Sequence, residues 1–414
     1  MTDQYLRQQA DLNPEVPFLV TRDGSFTYGQ VDGLVSGRAR DLGDRAGEQV
    51  GVRARIDVET VVEILAATRS GGSAVVISAS LPDEVSASRI AASAQDRRPS
   101  HSVLFTSGSS GTPKGVRLTS SNWEAAALVS ISRLGHGNDS RWLCPLPLHH
   151  VGGLSILYRS MAAGGSVILA PDTADLIAWM GRVEFASMVP TQLFRVLESR
   201  TETFSNNPIV LIGGGRSEPD LLNSADAAGM TVLPTYGMTE TTSQVATAKP
   251  GDRGRRLFPL EGVGVTVGRD GRIEVRGPTV SPGYLGEPER SPDEPFITSD
   301  RGRIEPDGSL VVLGRDDRVI ISGGENVDAS EVESVIESHP DIVEATVIAL
   351  PDQEWGEVVA AAYVGTPSPE DLRAFLSNRL ASHSAPKRWL QLEVLPRTEL
   401  GKVDITRLRG MFDS

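Results

Sequence analysis

The chain has 414 residues, 39% of them hydrophobic and 23% charged, a globular balance too long for one ordinary core and suited to two or three packed domains. A formal charge of −14 argues against nucleic-acid binding, which needs a basic surface. No apolar run reaches the ~20 residues of a spanning helix, the acidic, polar start lacks the form of a secretory signal, and a lone cysteine, Cys144, excludes an intrachain disulfide and fits a reducing, cytoplasmic setting.

In residues 1–100, strand-like runs at 50–52 and 73–78 alternate with an Ala-rich amphipathic stretch at 59–68, the rhythm of α/β layering. Residues 84–101 are polar and read as a surface connection into a strand at 103–105. Further apolar strands are predicted at 166–170, 185–189, 209–212 and 231–233, with helices at 192–199 and 220–228 between them. From Gly262 onward, short strands at 272–275 and 310–313 separated by Gly, Pro and Asp turns suggest a small β-subdomain. The charged run Arg315-Asp316-Asp317-Arg318 reads as a hinge. Beyond it lie a helix at 331–338, strands at 343–349 and 358–364, and a helix at 369–382. The expected fold class is α/β: a large multi-layer α/β domain over 1–315 with its β-subdomain, then a mobile α+β domain over 316–414.

The chemistry-bearing motif with the clearest physical logic begins at a buried strand. Val103-Leu104-Phe105 runs into Thr106, Ser107, Gly108, Ser109, Ser110, Gly111 and Thr112, and Lys114 follows after a proline. Glycines let successive N–H groups face one anion, hydroxyls add neutral donors, and the lysine supplies a point charge, so the loop suits phosphate. A flexible Ser/Gly linker would lack the preceding strand and the Thr-Pro-Lys-Gly ending. No Gly-Lys-Ser/Thr opens a helix, so the loop is not of the Walker type. Adjacent His149 and His150 lack a spaced Cys/His set for zinc. No Gly-x-Ser-x-Gly elbow points to a hydrolase.

Together with this loop, Pro145 to Gly153, Leu211 to Gly215, Thr235 to Glu240, Thr298 to Asp300, Gly314 to Asp317, Ser322 to Val327 and Leu395 to Lys402 resemble, in order, the motifs of the ANL adenylate-forming superfamily of acyl-CoA synthetases, non-ribosomal adenylation domains and luciferases. The resemblance runs from about residue 100 to the end. It implies ATP, Mg²⁺ and coenzyme A as ligands and two-step activation of a carboxylic acid. By the same resemblance Gly213, Gly214, Gly215, Thr235, Tyr236, Gly237, Met238 and Thr239 line the nucleotide, with Tyr236 stacking on adenine and Thr239 contacting the α-phosphate. Glu240 holds the metal, a role that suits a hard oxygen ligand. Asp300, at the end of a strand-like run at 296–298, takes the ribose hydroxyls, Arg315 sits near ribose and phosphates, and Ser322, Gly323 and Gly324, in the segment after the hinge, also border the nucleotide. Lys402 stabilises charge in the adenylation transition state. His150 gates the acyl pocket; a hydrogen-bonded core histidine is the lesser alternative there.

Finer segments resemble a compact group of acyl-CoA ligases whose acid carries an aromatic ring and two carboxylates. They make His150, Ser187, Thr191, Gln192, Arg195 and Ser243 candidate substrate contacts, with a surface position an equal reading for Arg195. Another aryl- or fatty-acyl-CoA ligase would share these motifs. A carrier-protein-loading enzyme is a further alternative, and a non-catalytic ATP-binding regulator should have lost Glu240 or Lys402. The expected partners are an aromatic carboxylic acid, ATP and CoA, with no nucleic acid and no membrane insertion. A homodimer is the candidate assembly.

Overall fold

The computed structural model describes residues 2–81, 83–106, 113–199, 203–215, 219–315, 319–322, 325–352, 356–377, 379–380, 384–398 and 401–412. They divide into two compact units. One runs to Thr298 and takes in Arg303–Val311; the other takes Ser299–Gly302 and the chain from Val312. The class is α/β, as expected.

The first unit is built on a nine-stranded sheet, in the order Phe258–Pro259, Ser243–Thr247, Thr231–Met238, Ile209–Ile212, Phe185–Met188, Arg141–Cys144, Ser166–Leu169, Pro17–Thr21, Gly24–Thr27. The strands from Thr231–Met238 to Ser166–Leu169 are mutually parallel. Leu143, Ile168, Ala186, Val210, Leu211 and Val232 on them are buried, as expected of strands covered on both faces. Trp142 stacks on Phe185 at 4.9 Å, anchoring the centre of the core. A five-stranded sheet runs Gly283–Tyr284, Lys114–Leu118, Ser102–Thr106, Ser73–Ser78, Gln49–Ala54, and a four-stranded one Gly264–Val267, Arg272–Arg276, Phe296–Ile304, Leu310–Arg315.

The second unit is an alternation of faces. Along the antiparallel strands Ile342–Asp352 and Gly356–Gly365, Val347, Val359, Ala361 and Tyr363 face one core, while Ile348, Leu350, Val358, Ala360 and Ala362 face another. Helices Ala329–Glu337 and Pro369–Leu376 cover the first face through Val332, Ile336, Leu372 and Leu376. Helix Ile405–Phe412 covers the second through Leu408 and Phe412.

Four sequence expectations need correction. Asp83–Ser93 is a helix rather than an irregular connection, carrying Asp83 and Glu84 in its first turn, where the helix dipole favours acids. The strand expected at 231–233 continues to Met238, because Thr235 to Met238 pair with Ser243–Thr247. Asp300 lies inside the strand Phe296–Ile304 rather than at a strand end. The helix expected at 369–382 stops at Leu376, with Ser377 as its C-cap.

Candidate active site

In open α/β sheets, ligands bind beyond the carboxyl ends of the parallel strands. Arg141–Cys144 delivers Pro145 to His150 at that edge, and Phe185–Met188 delivers Val189 to Arg195. Ile209–Ile212 delivers Gly213, Gly214 and Gly215, and Thr231–Met238 ends at the turn Thr239–Thr241. These motifs therefore share one rim because adjacent parallel strands end there. Gly214 has φ +77°, a left-handed backbone that glycine adopts without strain. Gly237 is required for a different reason. A Cβ on it would lie 1.6 Å from the Ser243 carbonyl oxygen, so only hydrogen fits where the chain doubles back.

Strand Ser102–Thr106 ends at Thr106, where the loop expected to suit phosphate begins, and Lys114 opens the returning strand directly opposite it, in the register Thr106↔Lys114. Residues 107–112, which hold Ser107, Gly108, Ser109, Ser110, Gly111 and Thr112, lie outside the described residues. The Lys114 ammonium is 2.9 Å from Glu287 Oε1 and 4.8 Å from the centre of the Tyr284 ring. The Tyr284 hydroxyl donates to Glu240 Oε1 at 3.0 Å. Burial, with the Glu240 carboxylate beside it, pushes the Tyr284 phenol well above its usual range. The turn holding Glu240 is fixed from below. Ser281 N–H donates to the Glu240 carbonyl at 2.8 Å, Thr242 Oγ1 donates to the Thr279 carbonyl at 2.6 Å, and Asn122 Nδ2 donates to the carbonyls of Pro278 and Val280.

Among the described residues no three His, Cys, Asp or Glu side chains converge as a metal cage. One carboxylate on a firm turn beside a phosphate-suited loop does fit Mg²⁺, which commonly takes one or two carboxylates and completes its shell with phosphate oxygens and water.

Near the ends of strands Arg141–Cys144 and Phe185–Met188, polar side chains gather at one place. Ser187 accepts a hydrogen bond from Trp142 Nε1 at 3.1 Å. Ser155 Oγ donates to the Gly152 carbonyl at 2.9 Å, accepts from the guanidinium of Arg159, and lies 3.4 Å from Ser243 Oγ. Arg159 also donates to Gln244 Oε1 at 3.3 Å and stacks over Trp142 at 4.7 Å. It is buried, has no carboxylate partner among the described residues, and burial lowers its pKa to about 9. A solitary buried cation is costly unless hydrogen-bond acceptors, aromatic faces or a bound anion compensate it.

Gln192 uses both ends of its amide on the scaffold, accepting from Val189 N–H at 3.1 Å and donating to the Pro145 carbonyl at 3.0 Å. Arg195 is exposed on helix Pro190–Glu198, with Thr191 partly buried at its start. His150 is the N-cap residue of helix Val151–Ala163, its ring 4.1 Å from that of His149. Thr235 bonds to Thr247 Oγ1 at 2.8 Å, while Tyr236, Met238 and Thr239 lie partly buried at the strand's end.

The remaining candidates belong to the second unit's numbering or its edge. Lys402 is exposed on a tight turn closed by Thr398 N–H to the Lys402 carbonyl at 2.7 Å, with Gly401 at φ +73°. Ser322 is buried at the end of strand Val319–Ser322, and Arg315 ends Leu310–Arg315. Gly323, Gly324 and the hinge residues Asp316 and Asp317 lie outside the described residues. Tyr284, Glu287 and Arg159 escaped sequence reasoning. The one available signal was an arginine inside the apolar run of residues 151–163.

The model of the AMP-binding enzyme family matches residues 91–285, and that of the AMP-binding enzyme C-terminal domain matches residues 331–402. The 2-succinylbenzoate–CoA ligase of Listeria monocytogenes is 35% identical over 326 residues, covering 74% of this chain and 69% of that protein. The Bacillus cereus ligase of the same name is 31% identical over 473 residues, covering 99% and 98%. Among solved structures, o-succinylbenzoate CoA synthetase (MenE) from Bacillus subtilis in complex with the acyl-adenylate intermediate OSB-AMP superposes with a TM-score of 0.87 at 28% identity, over 98% of this chain and 97% of that one. ATP-bound MatB from Rhodopseudomonas palustris gives 0.87 at 25%, over 100% and 99%. The chain belongs to the AMP-binding family of adenylate-forming enzymes.

Proposed function

We propose that this protein is an AMP-forming acid–thiol ligase that joins o-succinylbenzoate to coenzyme A, a step of menaquinone biosynthesis. Similarity to ligases of that name supports the reaction. The observation that carries the substrate is Arg159. A buried cation without a carboxylate partner among the described residues, close to Ser155 and Ser243, suits an acid that brings a second carboxylate. In a low-dielectric setting such a charge is felt strongly.

In the first step a carboxylate oxygen of the acid attacks the α-phosphorus of ATP. The bond to the bridging oxygen breaks, and pyrophosphate leaves with the electron pair. In the second step the thiolate of coenzyme A attacks the acyl carbon, and AMP departs. Two anions must meet in the first step, so cations matter. Lys114 and the loop from Thr106 to Thr112 hold phosphate oxygens. Magnesium held by Glu240 would neutralise part of the triphosphate charge. Gly213 to Gly215 and Thr235 to Thr239 accept the nucleotide, Tyr236 faces adenine, and Asp300 and Arg315 serve the ribose. His150 gates the acid, and Ser187, Thr191, Gln192, Arg195 and Ser243 border it. Lys402 acts on the adenylation transition state. Residues 316–414, with the segment Ser322, Gly323 and Gly324, form the domain that turns at residue 316 to admit the thiol. A cytoplasmic setting, where ATP and CoA are at hand and a lone cysteine stays reduced, fits this reading.

The test is CoA-thioester formation across a panel of acids. o-Succinylbenzoate should exceed benzoate, succinate and medium-chain fatty acids by about 100-fold in kcat/KM. A preference for any acid with a single carboxylate would overturn the assignment.

A further inference from the structure

We propose that Tyr284 is a positioning residue for adenylation: its hydroxyl orients the metal-binding carboxylate of Glu240 while its ring seats the ammonium of Lys114. The proposal rests on the functional reading above and deepens it.

Lys114 and Glu240 come from different sheets. One opens a strand of the five-stranded sheet; the other sits on the turn that ends Thr231–Met238. Tyr284 touches both, donating to Glu240 Oε1 at 3.0 Å and lying 4.8 Å beneath the Lys114 ammonium. The strand Gly283–Tyr284 pairs with Lys114–Leu118 in the register Tyr284↔Val116, so ring and lysine are diagonal neighbours on one face.

The segment that bears Tyr284 is itself clamped. Arg98 donates to the carbonyls of Glu287 at 2.7 Å and Tyr284 at 3.3 Å. Gly286 N–H donates to Asp96 Oδ2 at 3.1 Å, and Ser281 Oγ donates to the Arg117 carbonyl at 2.7 Å. The Arg98 guanidinium holds the Asp96 carboxyl well below the usual carboxylate range, so this clamp stays charged at neutral pH. Outer residues that orient a metal ligand commonly matter nearly as much as the ligand itself. Here the hydrogen bond fixes one Glu240 oxygen, and Oε2 makes no hydrogen bond among the described residues. Glu287 occupies Lys114 at 2.9 Å, but both groups are about half exposed. Such a pair is weak, and a phosphate can replace it.

ATP binding to the full chain, measured by calorimetry with and without Mg²⁺, tests this. Tyr284→Phe should reduce the tightening by Mg²⁺ about five- to tenfold, the scale of one partly exposed hydrogen bond to a charge. Glu240→Gln should remove most of that tightening, and the double variant should match Glu240→Gln alone. Tyr284→Leu should also weaken Mg²⁺-free ATP binding about threefold by removing the ring. Thiolysis of preformed acyl-adenylate by CoA should be unchanged in Tyr284→Phe. Unaltered Mg²⁺ tightening in Tyr284→Phe, additive effects in the double variant, or equal weakening with and without Mg²⁺ would each overturn the proposal. If the wild type binds ATP–Mg²⁺ but transfers no acyl group, the functional reading fails while the Tyr284 result still stands; failure to bind ATP at all overturns both.

Discussion

Replacing Gly237 with alanine separates backbone geometry from side-chain chemistry. The added Cβ would lie 1.6 Å from the Ser243 carbonyl oxygen and 2.6 Å from its carbon, where real Cβ atoms stay beyond 3.0 Å. The obstacle is backbone, so no rotamer relieves it. Strands Thr231–Met238 and Ser243–Thr247 must part at the point where their register already shifts. Overpacking and weakened ladder bonds together cost about 3 kcal/mol, a fall in melting midpoint on the order of 3–5 °C. The functional cost is larger, because Tyr236 lies on one side of the displaced residue and Thr239 and Glu240 on the other. A shift of about 1 Å in reacting groups can cost 100-fold in rate. Gly215→Ala is the control. Its nearest neighbour is Pro190 at 3.9 Å, so its melting midpoint should not move. Pyrophosphate exchange and thermal melts of both variants decide the matter. Gly237→Ala with exchange within about threefold of wild type and an unchanged midpoint would refute the reasoning.

Arg159→Met should raise KM for o-succinylbenzoate at least about tenfold with KM for ATP unchanged, read from steady-state kinetics. Its stability should change by only about 1 kcal/mol, since losing a desolvated charge offsets the lost hydrogen bonds. Lys402→Ala should slow acyl-adenylate formation by about 100-fold or more while thiolysis of preformed acyl-adenylate proceeds nearly unchanged; equal losses in both steps would contradict its assigned role. Acid should weaken the first unit through two buried imidazoles, His101 lowered to about 3 and His136 to about 4, in both cases chiefly by burial. Both folded values lie below the unfolded value of about 6.5. The stability they provide is therefore complete above pH 6.5 and drains as pH falls toward the folded values. Each contributes a slope on the order of 1 kcal/mol per pH unit in that window. Denaturant titrations at pH 7, 6 and 5 check it, and a flat profile would contradict it.

Sequence periodicity located the elements that are buried on both faces. Ser73–Ser78 and Ile209–Ile212 are continuous apolar runs with the bounds expected of them. Helix Asp83–Ser93 was hidden because the side chains it buries are the small hydroxyls Ser86 and Ser93, leaving no apolar stripe to read. Glycines such as Gly237 were legible as a motif, but their reason, a carbonyl returning from Ser243, is a tertiary fact. The site's supporting residues were beyond reach for the same reason. Tyr284 meets Glu240 across 44 residues of chain, and Glu287 meets Lys114 across 173. Gln192 illustrates the converse. Its polar amide invites a ligand on paper, yet both ends are taken by Val189 and Pro145.

The central claim is that this chain activates an acid on AMP before any thiol enters. Exchange of labelled pyrophosphate into ATP, with o-succinylbenzoate present and CoA omitted, tests it most directly. The account predicts acid-dependent exchange that requires Mg²⁺ and is lost in Lys402→Ala. Absence of exchange with every aromatic acid, or exchange fully retained by Lys402→Ala, would contradict it.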